Sequence, residues 1–382
     1  FDGGWADLRD RVIAGGTNAK FPYVGANVYK KGTTEPVLPE YTVLDMNGVK
    51  VAVIGTVTKE TPALVTPAGI TELEFGDAVD AINRVAAKIK SGKLADVIVV
   101  QNHDGAGSGA PEGSTLAQEV AAGGPFAKMV TEVTPDVAAI FNGHTHKQYS
   151  WDAPVLDSAG RPTGKTRPVV QTGNYGEYIG QIQLTIDTKT MSVTGYKAGN
   201  VKRTTSLEQP ADKLVADYPR VAAVKSIVDK ALADAAVTGN QPVGKVTADI
   251  TTAFGGSPAV RDDRGSESTL GNLVADSLVD ALKAPELGAA EIGVVNPGGL
   301  RNELYYAPDG TITYAEANAV LPFVNNLWTT SLTGAQFKTL LEQQWQTNPD
   351  GTVPSRAYQQ LGLSKNVNYT YDPARAAGDR QA

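Results

Sequence analysis

Asn142-Gly143-His144-Thr145-His146 places two imidazoles one residue apart, directly after the apolar run Val137-Ala138-Ala139-Ile140-Phe141. That run is short, ends at an Asn-Gly turn signal and is rich in residues suited to a buried strand. Gly143 can take backbone angles closed to other residues. The chain is therefore expected to bend there and project His144 and His146 from a strand tip, where the ligands of α/β proteins gather. The third histidine of the chain, His103, ends another apolar run, Val97-Ile98-Val99-Val100-Gln101-Asn102, and again meets Asp-Gly. Neutral imidazole binds zinc-like ions and, joined by carboxylates, manganese or iron. All three histidines at the tips of core strands point to a metal site. A histidine pair without a role is the alternative.

The elements that must carry these tips alternate. A helix is expected over 76–89, with Ala78, Ile82, Val85, Ala86 and Ile89 on one face. A strand at 96–102, a Gly-rich loop, helices at 114–122 and 126–133 and a strand at 137–141 follow, the pattern of an α/β layered domain. Upstream, 5–13 reads as a helix, 21–28 as strand-like, and 41–58 as a hairpin turning at Asn47-Gly48. The stretch 167–201 alternates and should add antiparallel strands. The alanine-rich 208–236 is helical and reads as a linker helix, with a core helix as the competitor. The second domain then opens with Val243-Gly244-Lys245-Val246, and a helix at 268–283 and a strand at 291–295 lead into Asn296-Pro297-Gly298-Gly299-Leu300-Arg301.

A chain of 382 residues is too long for one ordinary core, so two domains are the default. Hydrophobic residues make up 41% and charged residues 20%, as in a soluble globular protein. No apolar stretch approaches the ~20 residues that span a bilayer. The net charge of −7, without a basic cluster, argues against nucleic-acid binding but not against a small anionic substrate. The absence of cysteine removes disulfides and thiolate ligands and fits a secreted bacterial protein.

The histidine motif, the loop Asn296-Pro297-Gly298-Gly299-Leu300-Arg301 and Leu321-Pro322-Phe323-Val324-Asn325-Asn326 occur in this order. Together they resemble the 5'-nucleotidase family over essentially the whole chain. The resemblance implies an α/β (α+β overall) fold in two domains. The first, 1–206, would be a four-layer α/β/β/α calcineurin-like metallophosphatase sandwich, incomplete at its N-terminus. A linker helix, 207–240, would lead to a mixed α/β substrate-binding domain, 241–382, incomplete at its C-terminus.

The resemblance also implies chemistry. Two divalent metal ions (zinc, manganese or similar) would activate a water that hydrolyses nucleoside 5'-phosphates. His103 and His144 would bind one metal and His146 the other. Phe1-Asp2 resembles the tail of a metal-binding motif, so Asp2 would orient a catalytic histidine; a helix cap is the competing reading. Arg264, and less surely Arg261, would bind phosphate, against the alternative of a solvated charge cluster. Asn296, Gly298 and Arg301 match the substrate loop. Phe323 and Asn325 match base recognition, although a core phenylalanine competes. The family's other metal motifs, its second base-clamp aromatic and its ribose aspartate are absent from this sequence, so the chain alone is expected to be inactive. A nucleotide is the expected substrate partner, and a secreted or cell-surface location is expected. The rivals are cyclic-nucleotide phosphodiester or UDP-sugar hydrolysis on the same scaffold, and a non-catalytic nucleotide-binding or surface protein.

Overall fold

Four apolar segments form the parallel centre of one sheet in the computed structural model, which describes every residue except Asp2, 15–18, 206–207, 256–258, Val324, 347–357 and Ala382. The chain divides into two compact units, Phe1–Thr204 and Thr205–Ala382. In the first, β3 (Val49–Val57), β5 (Val97–His103), β6 (Val137–Asn142) and β8 (Pro162–Thr172) run parallel. β2 (Tyr41–Met46) and β7 (Gln148–Leu156) close the edges antiparallel, giving the order β2-β3-β5-β6-β8-β7. The β2–β3 turn is Asn47-Gly48, both left-handed, as the hairpin signal requires. Register sets the site: Val57 lies opposite His103, and Asn102 opposite Asn142. Both histidine-bearing tips therefore end at one level of the sheet.

Helical spacing explains what covers one face. α3 (Ala78–Gly92) buries Val79, Ala81, Ile82, Val85, Ala86 and Ile89, which join Ala52, Ile54, Ile98 and Val100 in the core. The Asp77 carboxylate caps it, accepting the Asp80 N–H at 3.0 Å, and left-handed Lys93 ends it. α4 (Leu116–Ala121) and α5 (Gly124–Glu132) share this layer, α5 through Phe126, Met129 and Val130. Buried Arg167 secures the end of α5, donating to the carbonyls of Val133, Thr134 and Val137 at 2.7, 2.8 and 3.2 Å. Burial pushes its pKa down to about 10, so it remains a cation at neutral pH. On the opposite face the hairpin β9 (Tyr178–Asp187) and β10 (Ser192–Lys202) packs over β7 and β8. Asn200 Nδ2 donates to the carbonyls of Tyr149 and Gln171 at 3.0 and 2.8 Å.

Three expectations shift. The helix at 5–13 is α-helical only in α1 (Trp5–Asp7) and continues as a π-helix, Leu8–Ile13. The segment 21–28 supplies only the start of β1 (Val28–Lys30), which pairs with β4 (Leu73–Phe75) beyond the short α2 (Thr61–Leu64). There the Asn27 side chain takes over strand pairing, donating to Val57 O and Gly76 O at 2.7 and 2.9 Å and accepting Val57 N–H at 3.0 Å. In the second unit, 291–295 narrows to β14 (Val294–Val295), because Gly293 N–H is taken by Ser364 Oγ at 3.0 Å.

Glu40 supplies a pH test in the first unit. Burial alone would raise its carboxyl, but Arg84 and Lys88 together hold it below the usual value. A depressed folded pKa gives stability that is present above the unfolded pKa and is lost as pH falls through the folded one. Glu40→Gln should cost about 0.5–1 kcal/mol at pH 7, since both cations are exposed, and the difference should shrink as the pH is lowered to 3. Urea melts at the two pH values check it; an equal cost at both would refute it.

The second unit is smaller-cored. α6 (Ala211–Asp217) and α7 (Pro219–Gly239) precede β11 (Pro242–Lys245), and of α7 only Gly239 is buried. β12 (Phe254–Gly255) pairs with β13 (Val260–Arg261). α8 (Thr269–Leu282), capped by Ser268, buries Leu270 and Val274 against Leu300, Leu304, Ile312 and Val320. β15 (Thr311–Thr313) pairs with β11, leading into α9 (Tyr314–Val320) and α10 (Gly334–Glu342). β16 (Gly362–Leu363) pairs with β14.

Candidate metal and substrate sites

The tips of β5 and β6 bring His103 and His144 together, with ring centroids 5.4 Å apart and planes tilted by 54°. The bend differs from the expected one. Gly143 is not left-handed; His144 and His146 are, at φ 70° and 60°. Left-handed backbone at residues with a Cβ costs of order 1–3 kcal/mol each and concentrates at functional sites. Gly143 is needed for closeness instead, since a Cβ there would lie 3.1 Å from His103 Nδ1. The turn is tied by Thr145 N–H to Gly143 O at 2.8 Å and Gly143 N–H to Asp104 O at 3.3 Å.

Electrostatics separate the imidazoles. Burial, and then the charges of His144 and His146, push His103 toward its neutral, ligating form. Glu60, whose Oε2 lies 3.8 Å from His144 Nε2, raises His144. His146 turns its ring toward Tyr175, with centroids 6.3 Å apart. Asp104 is pushed up by burial and accepts Gly105 N–H at 2.8 Å. Beside the pair opens a cavity of about 260 Å³ lined by Glu60, Asp104, Asn102, Val79, Met129 and Lys128 among others. Asn142 Oδ1 is buried with no hydrogen-bond partner among the described residues. Two neighbouring imidazoles, one biased toward its neutral form, with carboxylates and an orphaned amide oxygen nearby, fit a divalent ion as part of its shell. Among the described residues, no group of three or more His, Asp and Glu converges into a complete cage.

Asp2 lies outside the described residues. Glu60 and Asn142 were not anticipated as site residues. Asn142 stands inside the histidine motif, where a polar residue closing an apolar strand was the available signal. Glu60 reaches the site from the turn between β3 and α2, and nothing local in its sequence marks it.

In the second unit the structure gathers Arg264, Asn296, Gly298, Arg301 and Phe323. Asn296 Oδ1 caps the turn Pro297–Gly299 by accepting Gly298 N–H at 2.9 Å. Arg301 Nη1 donates to Gly298 O at 3.3 Å, and its guanidinium carbon lies 5.7 Å from the centroid of the Phe323 ring. A Cβ on Gly298 would meet Arg264 Nη1 at 3.0 Å, so glycine admits that guanidinium. Asp262 aims Arg264 with contacts of 2.8–3.1 Å. Arg261 is paired elsewhere, with buried Glu303 at 2.6 Å. Phe323 is 53% exposed, so it is a surface ring and not a core one. Asn325 is exposed two residues on, past Val324, which lies outside the described residues. Two guanidiniums beside an open aromatic face can bind an anionic group joined to a planar ring.

Residues 242–381 match the family model described as 5'-nucleotidase, C-terminal domain. The chain is 27% identical over 356 residues to Endonuclease YhcR of Bacillus subtilis (strain 168), covering 90% of this chain and 25% of that protein. It is 27% identical over 364 residues to a 5'-nucleotidase of Vibrio vulnificus (strain CMCP6), covering 91% of this chain and 61% of the relative. Among solved structures, a 5'-nucleotidase precursor from Thermus thermophilus superposes with a TM-score of 0.63 at 21% identity, covering 95% of this chain and 64% of that one. The chain thus spans less than two thirds of the length of each of these proteins.

Proposed function

We propose that the chain, whose residues 242–381 match the 5'-nucleotidase C-terminal domain model and which is similar to 5'-nucleotidases along most of its length, serves metal-dependent hydrolysis of nucleoside 5'-phosphates to nucleoside and phosphate. The observation that carries the reading is the left-handed pair His144 and His146 beside a neutral-biased His103, backbone strain spent on aiming imidazoles. His103 and His144 would hold one divalent ion, zinc, manganese or similar, and His146 a second. A bound ion supplies Lewis acidity and lowers the pKa of a water. Arg264 and Arg301 grip an anionic group of the substrate, Asn296 keeps the loop in its turn, and Phe323 and Asn325 meet the base. In this reading 1–206 is the metallophosphatase domain, 207–240 the linker and 241–382 the substrate domain. A secreted or cell-surface location belongs to the same proposal; no helix among the described residues is long and apolar enough to cross a membrane.

Chromatographic detection of products formed by the full-length protein from AMP (adenosine and phosphate), 2',3'-cyclic AMP (a nucleoside monophosphate) and UDP-glucose (UMP and glucose 1-phosphate), with manganese and after chelation, tests the reaction. Turnover of AMP that chelation removes is expected; turnover confined to the cyclic ester or the sugar nucleotide would move the function to those substrates, and none at all would favour a binding protein. Phe323→Ala should raise the KM for AMP roughly three- to tenfold while leaving kcat within a factor of two, because stacking contributes about 0.5–1.5 kcal/mol equally in ground and transition states. An unchanged KM would remove Phe323 from base recognition.

A further inference from the structure

We propose that Tyr149 and Gln171 are positioning residues that lock both histidine-bearing loops onto the rigid sheet; this rests on reading His103, His144 and His146 as metal ligands. The two are direct cross-strand partners on β7 and β8, and both are buried. The Tyr149 hydroxyl accepts Ala106 N–H at 3.2 Å and Asn142 Nδ2–H at 2.9 Å. Ala106 stands three residues past His103, and Asn142 two residues before His144. One phenol thus joins the loop after β5 to the last residue of β6, where the histidine motif begins. Gln171 Nε2 donates to Thr145 Oγ1 at 2.8 Å, and its Oε1 lies 3.2 Å from the same hydroxyl. Thr145 is the residue between His144 and His146, so the amide fixes the middle of the strained turn.

These two side chains are themselves immobilised. Tyr149 stacks on Trp151 with ring centroids 4.2 Å apart and meets Phe126 edge-on at 5.8 Å. Asn200 donates to the backbone carbonyls of both residues from β10, so the second β layer braces them. A left-handed turn between two histidines would relax without such braces, and the ligand geometry with it. Groups that orient metal ligands from behind change metal affinity about 10–100-fold when removed.

Tyr149→Phe keeps the ring packing and removes only the hydroxyl; Gln171→Met keeps the length and removes the amide. In the full chain, manganese affinity by titration calorimetry should fall about 10–100-fold in each variant. Metal-free amide hydrogen exchange should accelerate at 103–106 and 143–146 and stay unchanged in α3 and β3. Wild-type affinity and exchange in both variants would overturn the proposal, as would acceleration spread over the whole first unit, which marks a merely structural role. If the wild-type chain takes up no manganese, the metal reading fails, and the exchange pattern alone decides whether the two residues position the loops.

Discussion

His144→Asn is expected to reduce divalent-metal affinity by at least about 100-fold while leaving the first unit as stable as before, or slightly more so. The change removes an imidazole from a small ligand set, and loss of a ligand costs more than the 10–100-fold typical of the groups behind it. Stability goes the other way because residue 144 sits at φ 70°, where asparagine is among the few residues with a Cβ that settle routinely. The lost contact with Glu60 is long, at 3.8 Å, and Glu60 is 68% exposed, so it adds little. Manganese titration beside a urea melt separates the two effects. A fall in stability of more than about 2 kcal/mol would mean that the histidine is held for packing. Unchanged uptake would remove it from the metal shell.

Glu303→Ala should destabilise the second unit by about 2–4 kcal/mol, because it leaves buried donors without an acceptor. The Glu303 side chain is 1% exposed and accepts three bonds: Thr252 N–H at 2.5 Å, Thr252 Oγ1–H at 2.7 Å and Arg261 Nε–H at 2.6 Å. Thr252 Oγ1 in turn accepts the N–H of Asp262 at 3.2 Å, and Asp262 aims Arg264. Losing Glu303 therefore leaves the Thr252 N–H and hydroxyl without their acceptor and takes the partner from Arg261, whose side chain is 35% exposed and whose Nη2 is already buried without a partner among the described residues. Amide exchange in α8 and around Arg264 should accelerate accordingly. Glu303→Gln, which still accepts bonds, should cost only about 1–2 kcal/mol. Equal losses in the two variants would show that the volume of the side chain matters and its charge does not.

These two sites mark how far local pattern reaches. The histidine tips could be read because strand, turn and ligand are consecutive: β5 ends on His103, and β6 runs straight into the motif. α3 announced itself by its apolar spacing, and the β2–β3 hairpin by Asn47-Gly48. What escaped depends on partners far along the chain. Glu60 meets His144 across 84 positions, and Glu303 meets Arg261 across 42. Asn27 replaced an expected strand with side-chain bonds to Val57 and Gly76 that no propensity encodes. Arg261 and Arg264 look alike in Arg261-Asp262-Asp263-Arg264, yet the fold pairs one with Glu303, 42 positions on, and the other with Asp262 beside the substrate loop. The bend at the motif is legible in the sequence, but its strain falls on the two histidines and not on Gly143.

The most direct test of the account is anomalous scattering from crystals of the protein grown with manganese or zinc, recorded at the metal edge. The account predicts a peak bonded to imidazole nitrogens of both His103 and His144. A map with no peak at that pair, or with metal bound only elsewhere on the chain, would contradict it.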